Sequence, residues 1–189
     1  TRSVAITVTN QNEAPSPPIW ASGGSVQENA IGGVVVGAVS AGDPDAGDSR
    51  TFALLNNAGN RFAINASTGV ITVASGAAID FESNTSFTIR VEVSDGGGLT
   101  SWSDLVVSVT NQNEAPTITS SDTAATVENT TGAVYTATAT DPDAGNNITY
   151  SISGTDSNLF SIAASTGVVT FKAAPNFEAP TDANLDNVY

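Results

Sequence analysis

Asn111-Gln112-Asn113-Glu114-Ala115-Pro116 repeats, letter for letter, the earlier stretch Asn10-Gln11-Asn12-Glu13-Ala14-Pro15. Each copy follows an alternating run, Val4-Ala5-Ile6-Thr7-Val8 in the first case and Val106-Val107-Ser108-Val109 in the second. Alternation of period two puts every second side chain on one face, as in a half-buried strand. Proline cannot donate to a sheet ladder, so each strand ends at the stretch and a new segment opens after it. Residues 111–116 therefore read as a polar, acidic linker. Its two copies lie about 100 residues apart, a spacing that suits domains able to bury their own cores.

Outward from the linker, the segments are short and rich in β-formers. Residues 1–15 read as the last strand of a preceding repeat with its linker, and residues 16–110 as a complete repeat. Within it, Ile31 to Val39 forms a long β-rich run that stops at the turn-forming Gly42-Asp43-Pro44-Asp45-Ala46-Gly47, and Arg50 to Leu55 is the next strand. Phe62-Ala63-Ile64 and Val70-Ile71-Thr72-Val73 flank Asn65-Ala66-Ser67-Thr68-Gly69, the pattern of a hairpin. Phe87, Ile89, Val91 and Val93 alternate with polar neighbours, and a last strand runs near Trp102 to Val109. Helical spacing is nowhere sustained. About seven short strands in one repeat predict an all-β, antiparallel Greek-key sandwich.

The second repeat restates these landmarks in order. Val127-Glu128-Asn129 answers Val26-Gln27-Glu28-Asn29, and Asp141-Pro142-Asp143-Ala144-Gly145 answers the earlier turn. Phe160 to Val169 restates the stretch from Phe62, and Asn176-Phe177-Glu178 answers Asp80-Phe81-Glu82. Ordered landmarks at nearly constant spacing define an internal repeat. Tyr189 aligns with Phe87, so residues 117–189 form an incomplete repeat without counterparts of the last two strands. With no basic n-region at its start either, the chain reads as an interior piece of a longer one.

Composition narrows the function. Nineteen acidic residues against five basic ones give a formal charge of −14, which argues against nucleic acid, whose phosphates need Lys and Arg. Cations are the natural partners. Histidine is absent, which removes the usual general base and the Ser-His-Asp systems. Cysteine is absent too, so no disulfides support the fold. No apolar run is long enough to cross a bilayer.

Taken singly, the acidic motifs have ordinary structural readings. Asp-Pro-Asp is a good turn, Asp80 and Glu82 would share one face of a strand at a solvated edge, and Glu28 is an unremarked surface glutamate. Trp20 and Trp102 read as core or interface packing, and four Asn-X-Ser/Thr sequons, at Asn65, Asn84, Asn129 and Asn147, fit turn composition. The conjunction of acidic motifs in the same order in two repeats gives them a joint meaning. In this the chain resembles the cadherin family, and in particular the calcium-binding cadherin-like repeats that occur in tandem in large bacterial surface proteins. The motifs that carry the resemblance are Glu28, Asp43 with Asp45, Asp80 with Glu82, Asp95 with Gly96, and the linker Asn111 to Pro116.

The resemblance implies Ca²⁺ held between successive repeats by oxygen ligands, as a hard cation requires. By position, Glu28, Asp80, Glu82, Asn111, Asn113, Glu114, Asp141 and Asp143 would build a central junction. Asn12, Glu13, Asp43, Asp45 and Asp95 would form part of an upper one, and Glu128 and Glu178 part of a lower one. The linker begins with Asn where the family usually has Asp, and Asp80 becomes Asn176 in the second repeat. The implied function is an extracellular or cell-surface extender of an adhesin-type protein, stiffened by calcium and flanked by neighbouring repeats of the same or another chain. Two alternatives of the same non-catalytic kind are a binding module for a surface protein or an extracellular polysaccharide, and a filament subunit joined by strand donation. An enzyme would have to use Asp80 and Glu82 as paired glycosidase carboxylates, which needs a substrate cleft that residue spacing does not supply.

Overall fold

The computed structural model describes residues 2–189; Thr1, the first residue of the expected N-terminal strand, lies outside the described residues. The chain divides inside the repeated linker, into one unit ending at Gln112 and another running from Asn113 to Tyr189.

The first unit holds strands β1 (Ile19–Gly23), β2 (Ser25–Gln27), β3 (Val35–Ser40), β4 (Thr51–Asn56), β5 (Phe62–Ile64), β6 (Val70–Val73), β7 (Ser86–Ser94) and β8 (Thr100–Thr110). They form two four-stranded sheets, ordered β1-β3-β6-β5 and β2-β8-β7-β4. All pairs are antiparallel except β2 with β8, which is parallel. The inward faces meet in one core. Phe62, Ile71 and Val73 come from the first sheet, and Phe52, Ile89, Val91, Val93 and Val107 from the second, all buried. The alternation that marks β7 in the sequence is seen directly, with Phe87, Ile89, Val91 and Val93 buried and Ser86 and Thr88 exposed.

Two expectations are corrected here. Residues 2–9, read as the last strand of a preceding repeat, pair with no strand among the described residues, and Val4, Ile6 and Val8 are exposed. The run from Ile31 is strand only from Val35. Gly33 adopts φ +93° and Val34 N–H donates to the Ile31 carbonyl, so Ile31 to Val34 is a turn. Eight strands replace seven because the first edge strand is cut in two. At Gly23 and Gly24, with φ +72° and +98°, the chain leaves one sheet as β1 and joins the other as β2.

This crossing needs a bare backbone opposite it. A Cβ on Gly37 of β3 would stand 2.4 Å from the Ser22 carbonyl oxygen and 2.8 Å from the Gly24 nitrogen. Neither backbone atom can move without breaking the β1–β3 ladder. Gly37→Ala is therefore expected to destabilise the first unit by about 1–3 kcal/mol, the range for overpacking. Urea denaturation followed by Trp fluorescence checks this, and an unchanged midpoint would show that the crossing yields.

The second unit holds β9 (Thr117–Ile118), β10 (Ala133–Thr136), β11 (Ala139–Thr140), β12 (Phe160–Ile162) and β13 (Val168–Phe171). β10-β13-β12 is a three-stranded sheet and β9 pairs with β11. Phe160 and Tyr189 meet edge to face at 5.8 Å, as Phe62 and Phe87 do in the first unit, so the alignment of Tyr189 with Phe87 holds in three dimensions. Val26 is 4% exposed beneath its parallel pairing with β8, and its counterpart Val127, which pairs with no strand among the described residues, is 75% exposed.

Candidate metal centre

In the first unit the linker Asn10 to Pro15 lies over the Asp43–Asp48 turn and the Asp95 turn. Its own backbone fixes it. Glu13 N–H donates to Asp45 Oδ2 at 2.9 Å, and Ser101 Oγ donates to the Pro15 carbonyl at 2.6 Å. Ser16 N–H donates to the Gly42 carbonyl at 2.8 Å and accepts Gly42 N–H on its hydroxyl at 2.7 Å. The amide of Asn12 donates to Asp95 Oδ2 at 2.8 Å, and the amide of Asn10 donates to Asp45 Oδ1.

These bonds orient the carboxylates and keep them ionised. Asp45 is held below the usual carboxylate range by the Asn10 amide and by Glu13 N–H. At Asp95 burial opposes ionisation, yet the Asn12 amide together with the N–H groups of Leu99, Gly98 and Gly97 keeps the group below its ordinary value. Asp43 Oδ1 accepts Asp45 N–H at 2.8 Å, a bond inside the Asp-Pro-Asp turn. Its other oxygen, Oδ2, is buried and has no hydrogen-bond partner.

Asp43, Asp48 and Asp95 bring one carboxylate oxygen each to within 4.8 Å of one another. No Lys or Arg among the described residues pairs with them; the one ion pair found there is Arg90–Asp104. Three carboxylates brought together, one of them with a buried oxygen that has no hydrogen-bond partner, match the donor set of a hard divalent cation. The residues fit calcium.

Glu28 has a different local role. It directly follows β2, is almost fully buried, and accepts Phe81 N–H on Oε2 at 2.9 Å and Gln112 N–H on Oε1 at 2.7 Å. One side chain thus fixes the Asp80–Glu82 segment and the start of the central linker. Glu82 brings a carboxylate oxygen within 4.8 Å of Glu28. Asp80 and Glu82 do not sit on a strand, as same-face placement would require. They lie on a turn that Asp80 caps by accepting Ser83 N–H at 3.0 Å and Ser83 Oγ–H at 2.8 Å, and these two bonds depress its pKa. Asn111 follows β8 on the surface.

The second unit repeats the upper arrangement within itself. Glu114 N–H donates to the buried Asp143 Oδ2 at 2.7 Å, and Asp143 N–H donates to Asp141 Oδ1 at 2.9 Å. Asn113 enters through Asn146, whose amide donates to the Oδ1 atoms of Asn113 and Asp141, both at 3.2 Å. Glu128 is exposed, unlike Glu28, and accepts Phe177 N–H at 3.1 Å; Glu178 N–H is taken by Asn176 Oδ1 at 3.0 Å. Glu128 and Glu178 are not brought into a carboxylate cluster among the described residues.

Two participants escape the motif reading. Asn10 is the first letter of the repeated linker and stands where Asn111 does, so the repeat itself was its signal. Asp48 lies five residues after Asp43, as Asn146 lies five after Asp141, and that shared offset marks it.

Comparison with known proteins agrees with this geometry. A profile of the family described as Cadherin domain matches residues 23–110. Protocadherin Fat 4 of Homo sapiens is 33% identical over 195 residues, covering 97% of this chain and 4% of the relative. Cadherin-related family member 1 of Mus musculus is 29% identical over 166 residues, covering 79% of this chain and 19% of the relative. The chain therefore spans a small fraction of the length of these relatives. Among solved structures, human protocadherin-24 EC1-2 superimposes with a TM-score of 0.65 at 25% identity, covering 83% of this chain and 76% of that one. Eight strands in two facing sheets, an N-terminal strand split between them, and acidic turns beneath an Asn-rich linker accompany this match: residues 23–110 belong to the cadherin domain family.

Proposed function

We propose that this chain is a segment of an extracellular, adhesion-type protein in which Ca²⁺ stiffens the joints between successive sandwich repeats. The observation that carries the reading is the group Asp43, Asp48 and Asp95, which bring one carboxylate oxygen each to within 4.8 Å of one another, beside the buried Asp43 Oδ2 that has no hydrogen-bond partner. Burying such a group without a partner is costly, and a bound divalent cation supplies the compensating charge.

The residues proposed to hold the ion at the upper position are Asn12, Glu13, Asp43, Asp45 and Asp95, joined by Asn10 and Asp48. For the central junction they are Glu28, Asp80, Glu82, Asn111, Asn113, Glu114, Asp141 and Asp143, and for the lower one Glu128 and Glu178. Glu28 acts by anchoring backbone as well as by its charge, since its two oxygens hold Phe81 and Gln112. Asn12 and the neighbouring N–H groups keep Asp95 ionised and aimed. The role is non-catalytic, and the partners are calcium and neighbouring repeats of the same or another chain. A bacterial surface or secreted adhesin is the setting that the tandem motifs resemble, while the relatives reported above are animal proteins.

Calorimetric titration of the chain with Ca²⁺ is expected to give saturable binding with a much weaker response to Mg²⁺, whose small octahedral shell suits a ring of protein oxygens poorly. Small-angle scattering is expected to show a narrower distribution of shapes in calcium than in chelator. Absence of calcium heat would overturn the reading. Binding with identical scattering profiles would leave the ion a local role.

A further inference from the structure

The outward face of the second sheet carries a feature that the junctions do not use. Of the two readings given to the tryptophans, core or interface packing, Trp102 on β8 does not take the first, being 51% exposed, whereas Trp20 packs on the core and donates its Nε1–H to the Val106 carbonyl at 3.2 Å. Beside Trp102, the Arg90 guanidinium carbon lies 4.0 Å from the ring centroid. Arg90 is itself locked, since Nε and Nη2 each donate to one oxygen of the facing Asp104 at 2.8 Å. Glu92 stands directly opposite Trp102 on β7. The indole is thus a fixed plate set among carboxylates and a guanidinium whose positions are already determined.

The charges say what such a plate can receive. Arg90 is the one cation of the group and Asp104 already neutralises it, so an acidic ligand would have to displace a bidentate partner. Glu92 and the chain's net charge of −14 repel such a ligand further. A second copy of the chain brings the same negative charge. Of the neighbouring outward positions, Thr88, Thr100 and Ser108 are small and hydroxylated, and Val106, an exposed aliphatic on the same face of β8, is set apart from the ring by Asp104, so the apolar surface there is broken by polar groups rather than continuous as in the core of a protein interface. A neutral ligand with an apolar C–H face and many hydroxyl groups meets all of these terms. Its face can lie on the indole, and its hydroxyls can donate to the free lone pairs of Asp104 and Glu92.

We infer that the Trp102–Arg90–Asp104 face of the second sheet is a binding surface for neutral, pyranose-based polysaccharide. One plate on an open sheet gives weak attachment per repeat, and attachment grows when repeats present it in series.

The test is affinity electrophoresis of the chain in gels containing hydroxyethylcellulose, galactomannan or alginate, with Trp fluorescence titration against the soluble neutral polymers. The expected result is retardation by at least one neutral polymer and none by alginate. Trp102→Ala should weaken that binding by about tenfold or more, the fold-change equivalent to about 1.4 kcal/mol, and Trp102→Tyr should restore part of it. Trp102 is exposed, so both variants are expected to melt as the parent does. Failure of every neutral polymer to retard the chain would overturn the inference, as would retardation unchanged in Trp102→Ala or retardation by alginate alone. A dimer in sedimentation that Trp102→Ala abolishes would assign the face to a second copy and overturn it too.

Discussion

Calcium in large excess over its dissociation constant is expected to raise the melting temperature of this chain by about 15–30 °C over its value in chelator. Two steps give the figure. An ion that binds only the folded state at a thousand times its dissociation constant contributes about 4 kcal/mol. In a domain of roughly 100 residues, each kcal/mol moves the midpoint by about 4–8 °C. Asp43→Asn sharpens the expectation. The amide oxygen still accepts Asp45 N–H, as Asp43 Oδ1 does now, but the buried charge is gone. The variant should lose most of the calcium-dependent rise and, in chelator, melt no lower than the parent, because an unpartnered carboxylate has been removed. Differential scanning calorimetry in calcium and in EGTA reads both numbers. A parent whose midpoint ignores calcium would sink the expectation, as would a variant that keeps the whole rise.

Glu28→Ala is expected to cost the first unit about 3 kcal/mol even without calcium. Two N–H groups, of Phe81 and Gln112, lose a charged acceptor at 2.9 and 2.7 Å, and bonds to charged acceptors contribute about 1.5–3 kcal/mol each before water re-enters. Glu28 is 2% exposed, so re-entry is restricted. Glu128→Ala is the internal control. The equivalent residue is exposed and accepts a single bond, so its loss should stay within about 0.5 kcal/mol, as surface substitutions do. Urea denaturation of both variants in EGTA makes the comparison, and equal losses would mean that burial of Glu28 does not decide its role.

What the sequence makes legible follows from how local each signal is. The β7 alternation and the Asn65–Gly69 hairpin are read from neighbours a few residues apart, and both stand in the structure as expected. The division of the first edge strand is not legible in that way. It depends on β8, more than 80 residues downstream, offering a parallel edge to Ser25, Val26 and Gln27. Ile31 to Val34 read as strand because β-branched residues dominate the window, yet Gly32 and Gly33 close a turn there. Of the proposed ligands, those in the repeated motifs follow from the family resemblance that the order of the motifs carries. That Glu28 holds backbone at Phe81 and Gln112, or that Asp43 keeps one oxygen unsatisfied, depends on contacts between distant segments or on burial, and no spacing rule contains them. Trp102 shows the same limit from the other side. Its period-two position on β8 was visible, but which face of that strand meets water is set by the sheet that packs behind it.

The parallel pairing of β2 with β8 has a mechanical meaning. Ser25, Val26 and Gln27 enter the first unit near its beginning, and Ser108, Val109 and Thr110 leave it at its end, side by side and pointing the same way. Tension applied to the two ends of this unit therefore draws the strands past each other along their length, so the ladder bonds of all three residue pairs are strained together. An antiparallel pair pulled from adjacent ends would open one bond at a time, like a zip. The Gly23–Gly24 crossing, by moving the entering strand from one sheet to the other, is what sets the entrance and exit strands in shear, the geometry that suits a segment pulled at both ends.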